Sequence, residues 1–188
     1  SPCILNGGIY EKFIYGSNLG NSGNNNKFAY FKFGGNVYIT DFNPGHKGGS
    51  NDPNVTYNPK PVNVCGGQID LLYMSGKNYN STQTGDSYFF SNGGYIKLYQ
   101  GANQAQLNGN ITTQIHHALI DEYYGGGAVT KYAAGQITGD MSNTVNDSYV
   151  KFYVAGPKFG DMAPGKTVTT VANGTTFGQY YGAGYGGT

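Results

Sequence analysis

Two aspartates stand in matched contexts. Asp140 follows Thr138-Gly139 and precedes Met141, while Asp161 follows Phe159-Gly160 and precedes Met162. If these segments stack on neighbouring turns of a repeat, the two carboxylates come together. Paired carboxylates bind Ca²⁺, or serve as acid and base on a glycosidic bond. The plainer reading, and the one expected here, is two aspartates accepting backbone hydrogen bonds at equivalent corners. Asp121-Glu122 is another acidic pair, expected as solvated turn residues.

The remaining reactive side chains form no recognisable centre. His116 and His117 are adjacent, and on a strand they point to opposite faces, so they cannot readily share a metal. His46 lies in a stretch rich in Pro and Gly. No Ser-His-Asp arrangement follows from the spacing, so structural or surface histidines are expected. Cys3 and Cys65 stand 62 residues apart. In an oxidising compartment a disulfide between them would stabilise by about 4 kcal/mol on the chain-entropy argument. The alternative is two separate buried thiols, which behave as small hydrophobes. Two cysteines are too few ligands for a metal site. No cofactor is expected, with Ca²⁺ on the aspartates as the ion left open.

Any such group must be positioned by a scaffold, and glycine spacing suggests which one. Gly-Gly followed by an apolar, β-prone run occurs at Gly7-Gly8, Gly34-Gly35, Gly66-Gly67, Gly93-Gly94 and Gly126-Gly127. The steps are 27 to 33 residues. The pattern loosens to Ala155-Gly156 and Gly182-Ala183-Gly184. Periods of this length mark solenoids, propellers or arrays. Strands are expected at 9–10, 13–15, 27–33, 37–40, 68–74, 87–90, 95–99, 148–156 and 167–171. Residues 111–124 fit either a short helix or a strand pair, and their β-branched Ile and Thr favour strands. Residues 43–63 hold Pro44, Pro53, Pro59 and Pro61. They are expected as a long surface excursion, with Val55-Thr56-Tyr57 in its middle.

Composition agrees. Gly and Asn suit corners that need left-handed dihedrals, and Val, Ile, Thr and Tyr suit stacked strands. Charged residues are only 11% of the chain, against about 25% in typical soluble domains. The fold class expected is therefore all-β: a β-solenoid, parallel and β-helix-like, forming a single domain over residues 1–188. A β-sandwich is the alternative, since short alternating strands between turns also fit it.

The stretches Tyr124-Gly125-Gly126-Gly127, Val154–Met162 and Thr176–Gly187 resemble the Gly-rich rungs of secreted, right-handed β-helix-like surface proteins of Bacteroidetes-type bacteria. The resemblance is best over residues 120–188. It implies export and surface exposure. Its motifs are structural, so it brings no catalytic residue with it.

Several function classes are excluded by composition. All eleven basic residues are lysines and they are scattered, with a formal net charge of +1. That is not the clustered cationic face of a nucleic-acid binder. No apolar run reaches the 18–20 or so residues of a membrane span. The start at Ser1-Pro2-Cys3 and the Gly-rich end at Thr188 are expected of a fragment of a longer exported chain. The expected role is non-enzymatic: a structural stalk, or an adhesion and display module, outside the cell or on its surface. Its expected partners are a carbohydrate or host-surface ligand, further copies of itself, or the rest of a longer chain. The alternatives are a carbohydrate-binding module, or a polysaccharide hydrolase or lyase using Asp140 and Asp161. The lack of Arg counts against a lyase, and Glu11 and Glu122 are the only glutamates.

Overall fold

The structure is a computed structural model that describes residues 2–14, 30–44, 56–57, 60–74, 82–102, 106–127, 137–158 and 162–185. All regular elements among them are strands. They wind into a β-solenoid of about five turns, and every pairing is parallel.

Three faces repeat along the axis. The first carries β4 (Val62–Val64), β7 (Ser87–Asn92), β10 (Ile111–His116), β12 (Met141–Asn146) and β14 (Val168–Asn173). The second carries β5 (Gln68–Tyr73), β8 (Tyr95–Gln100), β11 (Leu119–Tyr124), β13 (Tyr149–Val154) and β15 (Thr176–Tyr181). The third is narrow: β3 (Thr56–Tyr57), β6 (Thr82–Thr84) and β9 (Gln106–Asn108), continued by single bridges from Leu107 to Ile137 and from Ile137 to Met162. One long strand, β2 (Phe31–Asn43), spans the first two faces, pairing with β4 through Phe31–Phe33 and with β5 through Tyr38–Phe42. β1 (Cys3–Ile14) lies along β2, with a register shift between Leu5 and Gly7.

Parallel register stacks like on like. On the second face, Ile39, Ile69, Ile96, Ile120 and Val150 form one buried column. Phe42, Leu72, Tyr99, Tyr123 and Tyr153 form the next. The rings of Tyr99, Tyr123 and Tyr153 stack 4.9 and 4.8 Å apart, within 8° of parallel. That spacing is the distance between paired strands, so the backbone pitch itself sets the ring stacking.

The corner between the first and second faces is tight. It holds two residues at Gly93-Gly94, His117-Ala118, Asp147-Ser148 and Gly174-Thr175. Its first residue has positive φ in each case: 101° at Gly93, 52° at His117, 47° at Asp147 and 60° at Gly174. His and Asp are among the few non-glycine residues that enter this region. This corrects the glycine-based period. Gly126-Gly127 does not continue the series of Gly66-Gly67 and Gly93-Gly94, whose next member is His117-Ala118. Gly126 lies past β11, where its N–H donates to Gly156 O at 3.0 Å. Two corners share the glycine signal, and at one of them His and Asp replace glycine.

The connection from second to third face is looser, at five to twelve residues between the paired positions. Residues 111–124 are strands, as their β-branched composition favoured, folded about the His117 corner. The stretch 43–63 contributes rung strands β3 and β4. Its residues 45–55 and 58–59, including His46, lie outside the described residues.

Candidate functional site

Outward-facing residues of the second face also align in columns. One column reads Asp70, Lys97, Asp121, Lys151, alternating in charge from level to level. Asp70 is held by three donors: Gln68 Nε2 at 2.7 Å, Tyr38 Oη at 2.9 Å and Lys97 Nζ at 3.0 Å. Two levels on, Asp121 takes the corresponding tyrosine bond, from Tyr95 Oη at 2.5 Å.

Beside the upper end of this column lies a surface groove of about 450 Å³. That is within the 300–1,000 Å³ or so typical of small-ligand sites. Asp121, Glu122 and Tyr124 come from β11, and Lys151 and Phe152 come from β13. Lys158 and Tyr185 come from the segments that follow β13 and β15.

The groove has an aromatic frame. Phe152 packs against Tyr185 at 5.2 Å and 76°, against Tyr181 at 5.4 Å, and against Tyr124 at 5.9 Å. Tyr181 and Tyr185 meet edge to face at 5.0 Å. Tyr124 is buried, whereas Tyr185 is 47% exposed and Tyr181 38%. Lys158 Nζ sits 4.7 Å from the centroid of the Tyr124 ring, within cation–π range. Tyr124 Oη donates to Glu122 Oε2 at 2.9 Å. Burial, then this bond to the glutamate, push the Tyr124 hydroxyl well above the ordinary tyrosine range. It therefore stays protonated and remains a donor at neutral pH.

The chain matches no family model, no curated protein and no solved structure. The chemistry of the groove therefore rests on its own geometry. Exposed aromatic faces accept the C–H faces of sugar rings, and the carboxylates and ammonium groups beside them suit hydroxyls and charged substituents. Asp121 and Glu122 both come from β11, not from the turn expected of them. Being neighbours on one strand, they do not face each other across a ligand as the acid and base of glycoside hydrolysis do.

Of the other residues singled out by sequence, those that are described fall elsewhere. Asp140 is exposed at a corner before β12. Its Oδ1 accepts from Thr167 N at 2.8 Å and from Thr167 Oγ1 at 3.2 Å. Its own N–H donates to Asn110 Oδ1 at 2.9 Å, and Asn110 N–H donates to Asp86 Oδ1 at 2.8 Å. Asp86, Asn110 and Asp140 thus form a ladder of side-chain oxygens, each capping the backbone of the next turn. Asp161 lies outside the described residues. Its neighbour Met162 bridges to Ile137, whereas Met141 is in register with Ile111 and Val168. Met141 and Met162 are therefore on different faces and do not stack.

His116 reaches toward the following turn, whereas His117 lies between the turns on either side, with its Nε2 3.9 Å from Asp147 Oδ2. His116 Nδ1 lies 3.5 Å from Asn146 Nδ2, and His117 Nδ1 lies 3.2 Å from Asn92 Oδ1. Among the described residues no cluster of three or more His, Cys, Asp or Glu could hold a metal ion. Both cysteines are free, with Cys65 exposed and Cys3 partly so. Cys3 is paired with Phe31 on β2, and β2 separates β1 from β4, just past which Cys65 lies. Two strand spacings are about 9.6 Å, beyond disulfide reach. Neither the disulfide nor a pair of buried thiols describes them.

The sequence reading did not single out Tyr124, Lys151, Phe152, Lys158 or Tyr185 as a site. The available signal was Phe and Tyr at outward positions of successive second-face strands. It becomes visible only once the His117 corner puts β8, β11, β13 and β15 in register.

Proposed function

We propose that this chain is a non-enzymatic repeat module of the cell surface or the secreted space. On this reading it displays a glycan-binding groove on a rigid parallel scaffold. The observation that carries the reading is the Phe152–Tyr181–Tyr185 cluster, whose partly exposed rings lie beside polar and charged groups. Such surfaces stack on sugar rings at little entropic cost, because rings already packed against one another lose little freedom on binding.

The test is a polysaccharide panel scored both for binding and for new reducing or unsaturated ends. Binding without new ends, lost in Phe152→Ala and Tyr185→Ala variants that melt like the parent, is the expected result. New ends that vanish on substitution of Asp121 or Glu122 would replace this reading with a hydrolase or lyase.

A further inference from the structure

Internal repetition provides a comparison for the groove's charges. Asp70 and Asp121 occupy the same outward column two levels apart. Each accepts a tyrosine hydroxyl from the level before, from Tyr38 and Tyr95 respectively. At the lower position the lysine of the next level, Lys97, completes the set with an ion pair at 3.0 Å. At the upper position the corresponding lysine is Lys151. Among the described residues, no hydrogen bond or ion pair joins the Lys151 ammonium to Asp121 or to any other group. Lys151 instead lines the groove beside Phe152.

Both groove carboxylates already accept a hydroxyl, Asp121 from Tyr95 and Glu122 from Tyr124. The Lys151 ammonium, by contrast, has no partner among the described residues. Building on the glycan-binding reading, we infer that the ligand is an acidic polysaccharide of the uronan class. Lys151 meets a sugar carboxylate while Phe152 and Tyr185 hold the ring. Charge-assisted hydrogen bonds of this kind are stronger than neutral ones. Asp121 and Glu122 narrow the choice further. They repel dense anionic charge, so one carboxylate per sugar is favoured over a heavily sulfated chain.

The experiment is calorimetric titration of the full chain with polygalacturonate, alginate, fully methyl-esterified polygalacturonate and dextran sulfate. The parent, Lys151→Gln and Phe152→Ala are compared, with melting curves confirming that each is folded. At least one uronan binds the parent, and more weakly as salt rises. Lys151→Gln weakens that binding roughly tenfold. The methyl ester binds the parent no better than the uronan binds Lys151→Gln, and Phe152→Ala loses both ligands. Uronan binding unchanged by Lys151→Gln, or an ester bound as tightly as the acid, would overturn the acidic assignment and leave the groove reading standing. Tighter binding of dextran sulfate than of either uronan would overturn the carboxylate assignment. Failure of every polymer, or binding indifferent to Phe152→Ala, would remove both readings.

Discussion

The hydroxyl of Tyr123 donates to Oδ1 of Asn143 across the solenoid interior, and both residues are fully buried. The same relation recurs one level to each side. Tyr99 pairs with Thr113 at 3.1 Å, and Tyr153 pairs with Thr170 at 2.8 Å. Each tyrosine of this stack is tied to an inward polar residue of the first face on the following turn. The stacked rings thus carry their hydroxyls inside without leaving them unsatisfied.

Asn143 is the most committed member of this set. Its Nδ2 also donates to Ala155 O at 3.0 Å and Thr169 O at 3.3 Å. Replacing it by Leu strands a buried hydroxyl and removes donors from two carbonyls. An unsatisfied buried group costs about 1–3 kcal/mol, so Asn143→Leu is expected to lose about 3 kcal/mol in urea denaturation. Tyr123→Phe in that background should recover part of the loss, because it removes the stranded hydroxyl.

Burial pushes the hydroxyl pKa of Tyr99, Tyr123 and Tyr153 well above the ordinary tyrosine value of 10.0. The folded state therefore holds these protons more tightly than the unfolded chain does. Their contribution to stability is complete below about pH 10 and declines as pH rises beyond it. An alkaline titration should show tyrosinate absorbance from the buried rings appearing together with loss of the circular-dichroism signal. Ionisation of all tyrosines with the fold intact would contradict this.

Two glycines give opposite expectations. A Cβ on Gly125 would collide with the carbonyl oxygen of Ala155, whereas a Cβ on Gly35 would meet nothing within 4 Å. Gly125→Ala should cost at least about 3 kcal/mol, because the obstruction is backbone of the next turn. Gly35→Ala should melt within a degree or so of the parent.

Asp140 acts as a cap. The backbone N–H of Thr167, followed by its hydroxyl, holds the carboxyl below its ordinary range. The associated stability is present above the ordinary carboxylate pKa and is lost as pH falls through the lower, folded value. Asp140→Asn keeps an acceptor, as Asn110 does at the equivalent corner, and should melt close to the parent at pH 7. Asp140→Ala should melt lower. Neither should change glycan binding, since Asp140 is not part of the groove.

The scaffold was largely readable from residue types. Gln68–Tyr73 and Tyr149–Val154 carry enough β-branched and aromatic residues to specify strands wherever they lie. The register was less readable. Left-handed dihedrals at His117 and Asp147 replaced the expected glycines, so the period jumped from one corner to another at Gly126. The two methionines of the matched Gly-Asp-Met contexts, Met141 and Met162, fall on different faces, since local similarity does not reveal which face a residue occupies. The groove was not legible, because its walls are brought together from residues 121 to 185 by pairing alone.

The unequal connections between faces have an evolutionary consequence. An extra residue at the two-residue corner would shift register and turn inward side chains outward. The connection from second to third face already varies from five to twelve residues. Even doubling such a segment costs only about 0.6 kcal/mol in closure entropy. Insertions and deletions will therefore accumulate along that one margin of the molecule. The groove straddles this boundary, with Asp121 and Phe152 on the constant side and Lys158 and Tyr185 just beyond it. Relatives of this chain could change ligand preference by editing the margin, while the stacked interior is inherited unchanged.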